Sequence, residues 1–238
     1  MQTVWVTLGC NNGCGFCPQR EARSDGEPGR FAPDAVAAQV SEAARSGQVV
    51  ALVGGEPTIR PDLLALVALA RREGARGVVV QTNGRRLAYA AYSRELTAAG
   101  ASAVDVSLHG STASMHDFHT GVAGSFAQTA TGLGVARAAG LRVGVTSVLT
   151  RSNYRHASEI VRLAATRGAS AVHLVLARPV GDAPLAPSLR PNPTLAAPYL
   201  AAAARLAQSL GLAVLAEGSA SHPSLLDLFA GPGEPRPA

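Results

Sequence analysis

Short, continuous apolar runs alternate with longer stretches whose apolar residues recur at helical spacing, and this alternation limits the fold more than any other feature. Val4–Leu8, Val49–Val53, Gly77–Gln81, Ala103–Leu108, Leu141–Leu149 and Ala171–Leu176 read as six strands. Helices are expected from Pro33 to about Ser46, from Pro61 past Ala70, and from about Leu87 to Ala99. Others follow from about Ser125 to Ala139, Tyr154 to Thr166 and Thr194 to Leu210, with a short helical piece around Ala113 to Phe118. Leu212–Leu215 is a candidate seventh strand. Apolar runs without polar alternation suit strands covered on both faces, and strict strand–helix alternation implies a parallel sheet with right-handed crossovers. A doubly wound sheet gathers only the turns at one crevice, whereas a barrel gathers every strand-end turn round one mouth. Each strand here ends in its own chemically distinctive turn. The expected fold is therefore α/β: a partial, six-unit TIM-like β/α barrel of parallel strands. It should occupy residues 1–218, with 219–238 as a Gly/Pro-rich and partly disordered extension.

The first strand runs into Gly9-Cys10-Asn11-Asn12-Gly13-Cys14-Gly15-Phe16-Cys17-Pro18, which holds all three cysteines in the spacing C-x3-C-x2-C. Three clustered thiols with no partner elsewhere argue against a disulfide framework and for a reducing compartment, so a cytoplasmic location is expected. They read as a metal site with one position open. Structural zinc wants four ligands, and the histidine nearest in sequence is His109, in a different strand–helix unit. The second strand ends in Gly54-Gly55-Glu56-Pro57, the third in Thr82-Asn83-Gly84 and the fourth in Ser107-Leu108-His109-Gly110. Period-two alternation along the fourth places Asp105, Ser107 and His109 on one face and Val104, Val106 and Leu108 on the other. The polar set should face the barrel interior.

At these strand ends the chain resembles the radical S-adenosylmethionine (radical SAM) superfamily. The three-cysteine motif with an aromatic residue before its last cysteine, here Phe16, is similar to that family's signature, and Gly54–Pro57 to its second motif. The resemblance covers about residues 4–178. It implies a 4Fe–4S cluster held by Cys10, Cys14 and Cys17, with S-adenosylmethionine (SAM) on the fourth iron. It also implies reductive cleavage of SAM to a 5′-deoxyadenosyl radical that abstracts hydrogen from an organic or peptide substrate. By the same resemblance, Gly54, Gly55, Glu56 and Pro57 would receive the methionine end of SAM, with the Glu56 carboxylate at its ammonium group. Ser107 would contact SAM, with Asn83 as a neighbour. Thr146 or Ser147 would reach the ribose, and Phe16 would line the adenine. His109 is the candidate for a catalytic, substrate-side role. A one-electron donor of flavodoxin or ferredoxin type is the implied protein partner.

The segment Met115-His116-Asp117-Phe118, Thr120-Gly121 and Gly124-Ser125-Phe126 resembles the branch that modifies peptides or builds cofactors. Many members there carry an arginine in this segment that helps bind SAM. None lies between Gly110 and Arg137 here, which leaves Arg151 or Arg178 to take its place. His116, His119 and His156 are expected at the surface, and His173 either in the lumen or the core. Gly-Glu-Pro also occurs at Gly26-Glu27-Pro28 and Gly233-Glu234-Pro235, with no strand before either copy.

All 21 basic residues are arginine, which excludes Schiff-base lysine chemistry and a Walker-type phosphate loop. With every cysteine in one motif, a second cluster and a methyl-carrying cysteine have no ligands. The net charge of +5 is scattered, Arg71-Arg72 and Arg85-Arg86 read as solvated helix ends, and aromatics make up 4%, so no nucleic-acid partner is expected. Pro198, Arg205 and Gln208 interrupt the apolar stretch Leu195–Val214, so no membrane span is expected either. Two alternatives stand beside the leading reading. One is an activase that takes hydrogen from a glycine of a partner enzyme; the other is a non-catalytic barrel that binds the cluster and SAM.

Overall fold

The computed structural model describes residues 1–17, 19, 29–179 and 186–216. Within them strand and helix alternate: β1 (Gln2–Thr7), α1 (Pro33–Arg45), β2 (Val49–Gly54), α2 (Leu63–Arg72), β3 (Gly77–Thr82), α3 (Ala90–Ala98) and β4 (Ala103–Ser107). Two helices follow in succession, α4 (Ala113–Thr120) and α5 (Ser125–Ala138), then β5 (Arg142–Leu149), α6 (Ala157–Thr166), β6 (Ala171–Leu176), α7 (Pro193–Ser209) and β7 (Ala213–Ala216). The seven strands pair in parallel in chain order, from β1 to β7. An order that never reverses has no switch point of the doubly wound kind. Right-handed crossovers then put all the helices on one side and leave the other side as a lumen. The fold is the expected partial barrel, open between β7 and β1 among the described residues, with seven strands rather than six. The candidate seventh strand at Leu212–Leu215 forms as β7, which adds four ladder pairs to β6.

The two faces of each strand serve different cores. Val50 and Leu52 of β2, Val78 and Val80 of β3 and Val104 and Val106 of β4 point outward into the main core, with Val36, Val40, Leu63, Leu66, Leu96 and Leu133 of the helices. Val49, Ala51, Val53, Val79, Ala103 and Ala171 point inward and fill the bottom of the lumen. Small aliphatic residues suit that narrow space and close the barrel at the N-terminal ends of the strands. Chemistry is thereby confined to the opposite rim.

Helix boundaries differ from expectation in two places. The stretch from Leu87 begins as a 3-10 turn, Arg86–Ala88, and α3 starts only after Tyr89, whose backbone is extended. Tyr154–His156 is likewise a 3-10 turn ahead of α6. Residues 219–238, Gly26–Pro28 and Gly233–Pro235 lie outside the described residues, as does part of the proline-rich loop before α7.

Candidate functional site

The cysteine loop has no regular structure of its own, so its shape is imposed by what it is bonded to. At its start, Gly55 N–H donates to Thr7 O at 2.8 Å and Glu56 N–H to Gly9 O at 2.8 Å, so the turn after β2 holds the chain leaving β1. Gly54 has φ of 155°, and a Cβ there would stand 2.2 Å from Thr7 O. A Cβ on Gly55 would stand 2.3 Å from Gly9 O and 2.4 Å from Leu8 O. No side chain fits at either position, so this backbone contact explains the glycine pair.

The middle of the loop is held from two other directions. Asn83 Nδ2 donates to Asn11 Oδ1 at 2.6 Å, and Arg85 Nη1 donates to Asn11 O at 2.6 Å and Asn12 Oδ1 at 3.0 Å. Gly13 N–H donates to Thr120 O, at the end of α4, at 2.7 Å. That helix end is itself fixed by Asp117, whose carboxylate accepts from Gly124 N–H, Ser125 Oγ and Phe126 N–H at the start of α5. Burial works to raise the Asp117 pKa, but the Phe126, Ser125 and Gly124 donors together bring it below the ordinary value. The Met115–Phe126 segment thus has a structural role, positioning the strut behind the thiols.

Glu56 organises the rim. It is fully buried, and its carboxylate accepts from Thr58 N–H, Thr58 Oγ1 and Thr82 Oγ1 through Oε1 and from Asn83 N–H through Oε2, at 2.6–3.0 Å. Burial raises its pKa against the opposing pull of the Asn83 amide and the two threonines. The carboxylate expected at a ligand's ammonium group is therefore committed to tying the ends of β2 and β3 together. Neither Glu56 nor Pro57, which opens the 3-10 turn Pro57–Ile59, reaches the central cavity.

That cavity, about 320 Å³, opens at the C-terminal ends of the strands. Cys10, Cys14, Phe16, Cys17, Gly54, Gly55, Asn83, Ser107, His109 and Thr146 all line it, from five separate strand ends. Lining residues for which motif reading gave no role are Asn12, Gln81, Thr82, Val148 and Val175–Ala177. Of the two arginines considered, Arg178 lines the cavity, whereas Arg151 does not. Ser147 is buried on the other face of β5. Beneath the rim lies Asp105, accepting from Thr146 Oγ1 at 2.9 Å and Gln81 Nε2 at 3.1 Å. Burial raises its pKa too, opposed by Thr146 and Gln81.

Among the described residues, no three His, Cys, Asp or Glu side chains converge as a single ion would need. The three half-buried thiols instead share one cavity wall. A cube that takes one thiolate per iron suits donors arranged this way, so the residues fit a 4Fe–4S cluster.

Three histidines gather beside the thiols, and two correct the sequence reading: His116 and His119 of α4 are buried, at 0% and 2% exposure. Their rings are accommodated because backbone groups settle their protons. His119 Nδ1 donates to Met115 O at 2.7 Å, which leaves Nε2 to accept from Thr150 Oγ1 at 2.8 Å. His116 Nδ1 accepts from His109 N–H at 3.2 Å. His109 Nδ1 accepts from Val148 N–H at 3.2 Å, so the neutral ring carries its proton on Nε2. Burial first, then the neighbouring His116 and His119, holds the His109 pKa well below the usual imidazole value. The ring packs edge-on to Phe16, with centroids 4.8 Å apart. His109 is thus a neutral donor beside the thiol loop, poorly suited to take up a proton.

Comparison with known proteins agrees with this arrangement. A family model described as the Radical SAM superfamily matches residues 5–164. The AdoMet-dependent heme synthase of Nitratidesulfovibrio vulgaris is 32% identical over 179 residues, covering 75% of this chain and 48% of the relative. A probable GTP 3′,8-cyclase of Sulfolobus acidocaldarius is 31% identical over 184 residues, covering 75% of this chain and 56% of the relative. The chain spans about half the length of these curated relatives. Streptococcus suis SuiB bound to S-adenosylmethionine shares the fold with a TM-score of 0.72 at 16% identity, over 91% of this chain and 50% of SuiB. Among the described residues, no helix is long and apolar enough to cross a membrane.

Proposed function

The chain belongs to the radical SAM superfamily, and from that premise we propose an enzyme that cleaves SAM reductively to take a hydrogen atom from a small organic or peptide substrate. The observation that carries the reading is the convergence of Cys10, Cys14 and Cys17 with Gly54, Gly55 and Ser107 on one cavity at the strand ends. The three thiolates would hold a 4Fe–4S cluster. When bound, the cluster supplies the single electron that breaks the C5′–S bond of SAM, giving methionine and the 5′-deoxyadenosyl radical.

The protein's part is binding, orientation and exclusion of water. Gly54 and Gly55 present bare backbone to the ligand, and Asn83, Ser107 and Thr146 supply polar contacts beside it. Arg178 also lines the cavity and would meet the carboxylate of SAM. Val148, Val175 and Ala177 form an apolar wall on the β5–β6 side, where the substrate would lie. His109 Nε2–H stands between the two regions and would hydrogen-bond an acceptor on the substrate, holding it without exchanging a proton. A one-electron carrier of flavodoxin or ferredoxin type completes the system.

Anaerobically reconstituted protein, mixed with dithionite and SAM, should release 5′-deoxyadenosine, and Cys14→Ala should not. Absence of the product from cluster-loaded wild-type protein would overturn the catalytic reading in favour of a binding barrel.

A further inference from the structure

The cysteine loop has a second side. Cys10, Asn12, Cys14 and Cys17 line the central cavity, whereas Asn11 lines a separate groove of about 450 Å³ on the outside of the barrel. Its walls come from the turn after β2, the chain entering α3, and α5. Ile59 and Tyr89, 41% and 64% exposed, supply an apolar centre. Arg85 and Arg86 supply positive charge beside it. Arg85 is bonded to Gln128 Oε1, Asn11 O and Asn12 Oδ1; Arg86 is bonded to Thr58 O and lies 4.2 Å over the Tyr92 ring. Every one of these partners is neutral. Among the described residues, no carboxylate pairs with either guanidinium, and Glu95 is the one acidic residue lining the groove.

We propose that this groove docks an acidic one-electron carrier protein, which delivers its electron to the centre held by the three thiols. The proposal rests on the radical SAM reading and adds the place of entry. The central cavity must admit SAM and substrate, so a carrier needs another approach to the loop. From the groove that approach is short: Arg85 holds Asn12 Oδ1, and Asn12 N–H in turn donates to Cys10 Sγ at 3.3 Å. The carrier is oxidised by one electron and the thiol-held centre is reduced by one; no atom or proton moves between them. Uncompensated arginines beside a small apolar patch match what transient redox encounters use, namely charge for steering and limited contact area for rapid release.

Flavodoxin is the probe, and Ile59→Glu/Tyr89→Glu is the test variant, since both side chains are exposed. Ile59 Cδ1 also packs beside Gly9, so Tyr89→Glu alone is measured in parallel and should weaken binding in the same direction. Binding of oxidised flavodoxin to reconstituted protein is measured by calorimetry at low and high salt. Release of 5′-deoxyadenosine is driven in parallel by reduced flavodoxin or by dithionite. The double variant should bind flavodoxin about tenfold more weakly or worse. Its flavodoxin-driven rate should fall in step, with iron content and dithionite-driven rate unchanged. Wild-type binding should weaken with salt. Unchanged flavodoxin affinity in the double variant would overturn the proposal, as would a groove that binds heparin but not flavodoxin. Variant-sensitive flavodoxin binding without any dithionite-driven cleavage would support the groove while overturning the proposed SAM cleavage.

Discussion

Glu56 illustrates how a motif residue can hold the rim together through its protein partners. Four donors converge on its buried carboxylate, and truncation would leave them unsatisfied in the interior. Glu56→Ala is expected to lower the stability of the cluster-free protein by about 3 kcal/mol in urea unfolding. A variant that kept wild-type stability and lost only SAM affinity would show that the side chain reaches the ligand after all. The cysteines, Phe16, Gly54, Gly55, Asn83, Ser107, His109 and Thr146 were legible as neighbours because they belong to strand ends, and strand ends share one rim. Glu56 and Pro57 stand just behind that lining, because a motif marks a position in the chain and not the direction of a side chain. Val148, Val175 and Leu176 carried no signal, since apolar strand residues read alike whether they face a helix or a lumen. His116 and His119 were missed for a related reason: hydrogen bonds from groups outside their helix, His109 N–H to His116 and Thr150 Oγ1 to His119, are not visible in a one-dimensional pattern.

At the scale of elements, the thiol loop depends on α4 and α5 as much as on the sheet. Asp117 closes the junction between these helices, and the end of α4 accepts the Gly13 N–H. Asp117→Ala should cost about 0.5–2 kcal/mol, the usual range for loss of a helix cap. The Asp117 pKa is lowered in the folded state, so its stabilisation is present above the ordinary carboxylate value and is lost as pH falls through the folded one. Wild type and variant should therefore converge in stability at strongly acidic pH, and a constant gap in a pH series of urea unfolding would contradict the assignment. Most elements were legible because the strands are unbroken apolar runs and glycines end the helices. The breaks before α3 and α6 were not, because Tyr89 and His156 leave the apolar spacing undisturbed.

For the whole molecule, the neutral histidines have a measurable consequence. Burial holds His116 at about 4, against about 6.5 in an unfolded chain. The unfolded state thus takes up a proton that the folded state refuses, and stability present above pH 6.5 is lost as pH falls towards the folded value. This amounts to about 2 kcal/mol for His116 between pH 7 and pH 5. His109, held lower still, acts in the same direction, whereas Glu56 and Asp105, whose pKa values are raised, act in the opposite one. A difference measurement isolates the single group. His116→Asn, which can keep an acceptor for His109 N–H, should flatten the pH dependence of stability by about that amount, and parallel curves would refute it. The central claim concerns the rim as a unit: Cys10, Cys14 and Cys17 would hold a 4Fe–4S cluster in the cavity that Gly54 and Gly55 also line, and SAM would bind there. Electron paramagnetic resonance of the dithionite-reduced, reconstituted protein tests this most directly. Added SAM should change the spectrum of the reduced cluster, and a spectrum unaltered by saturating SAM would contradict the account.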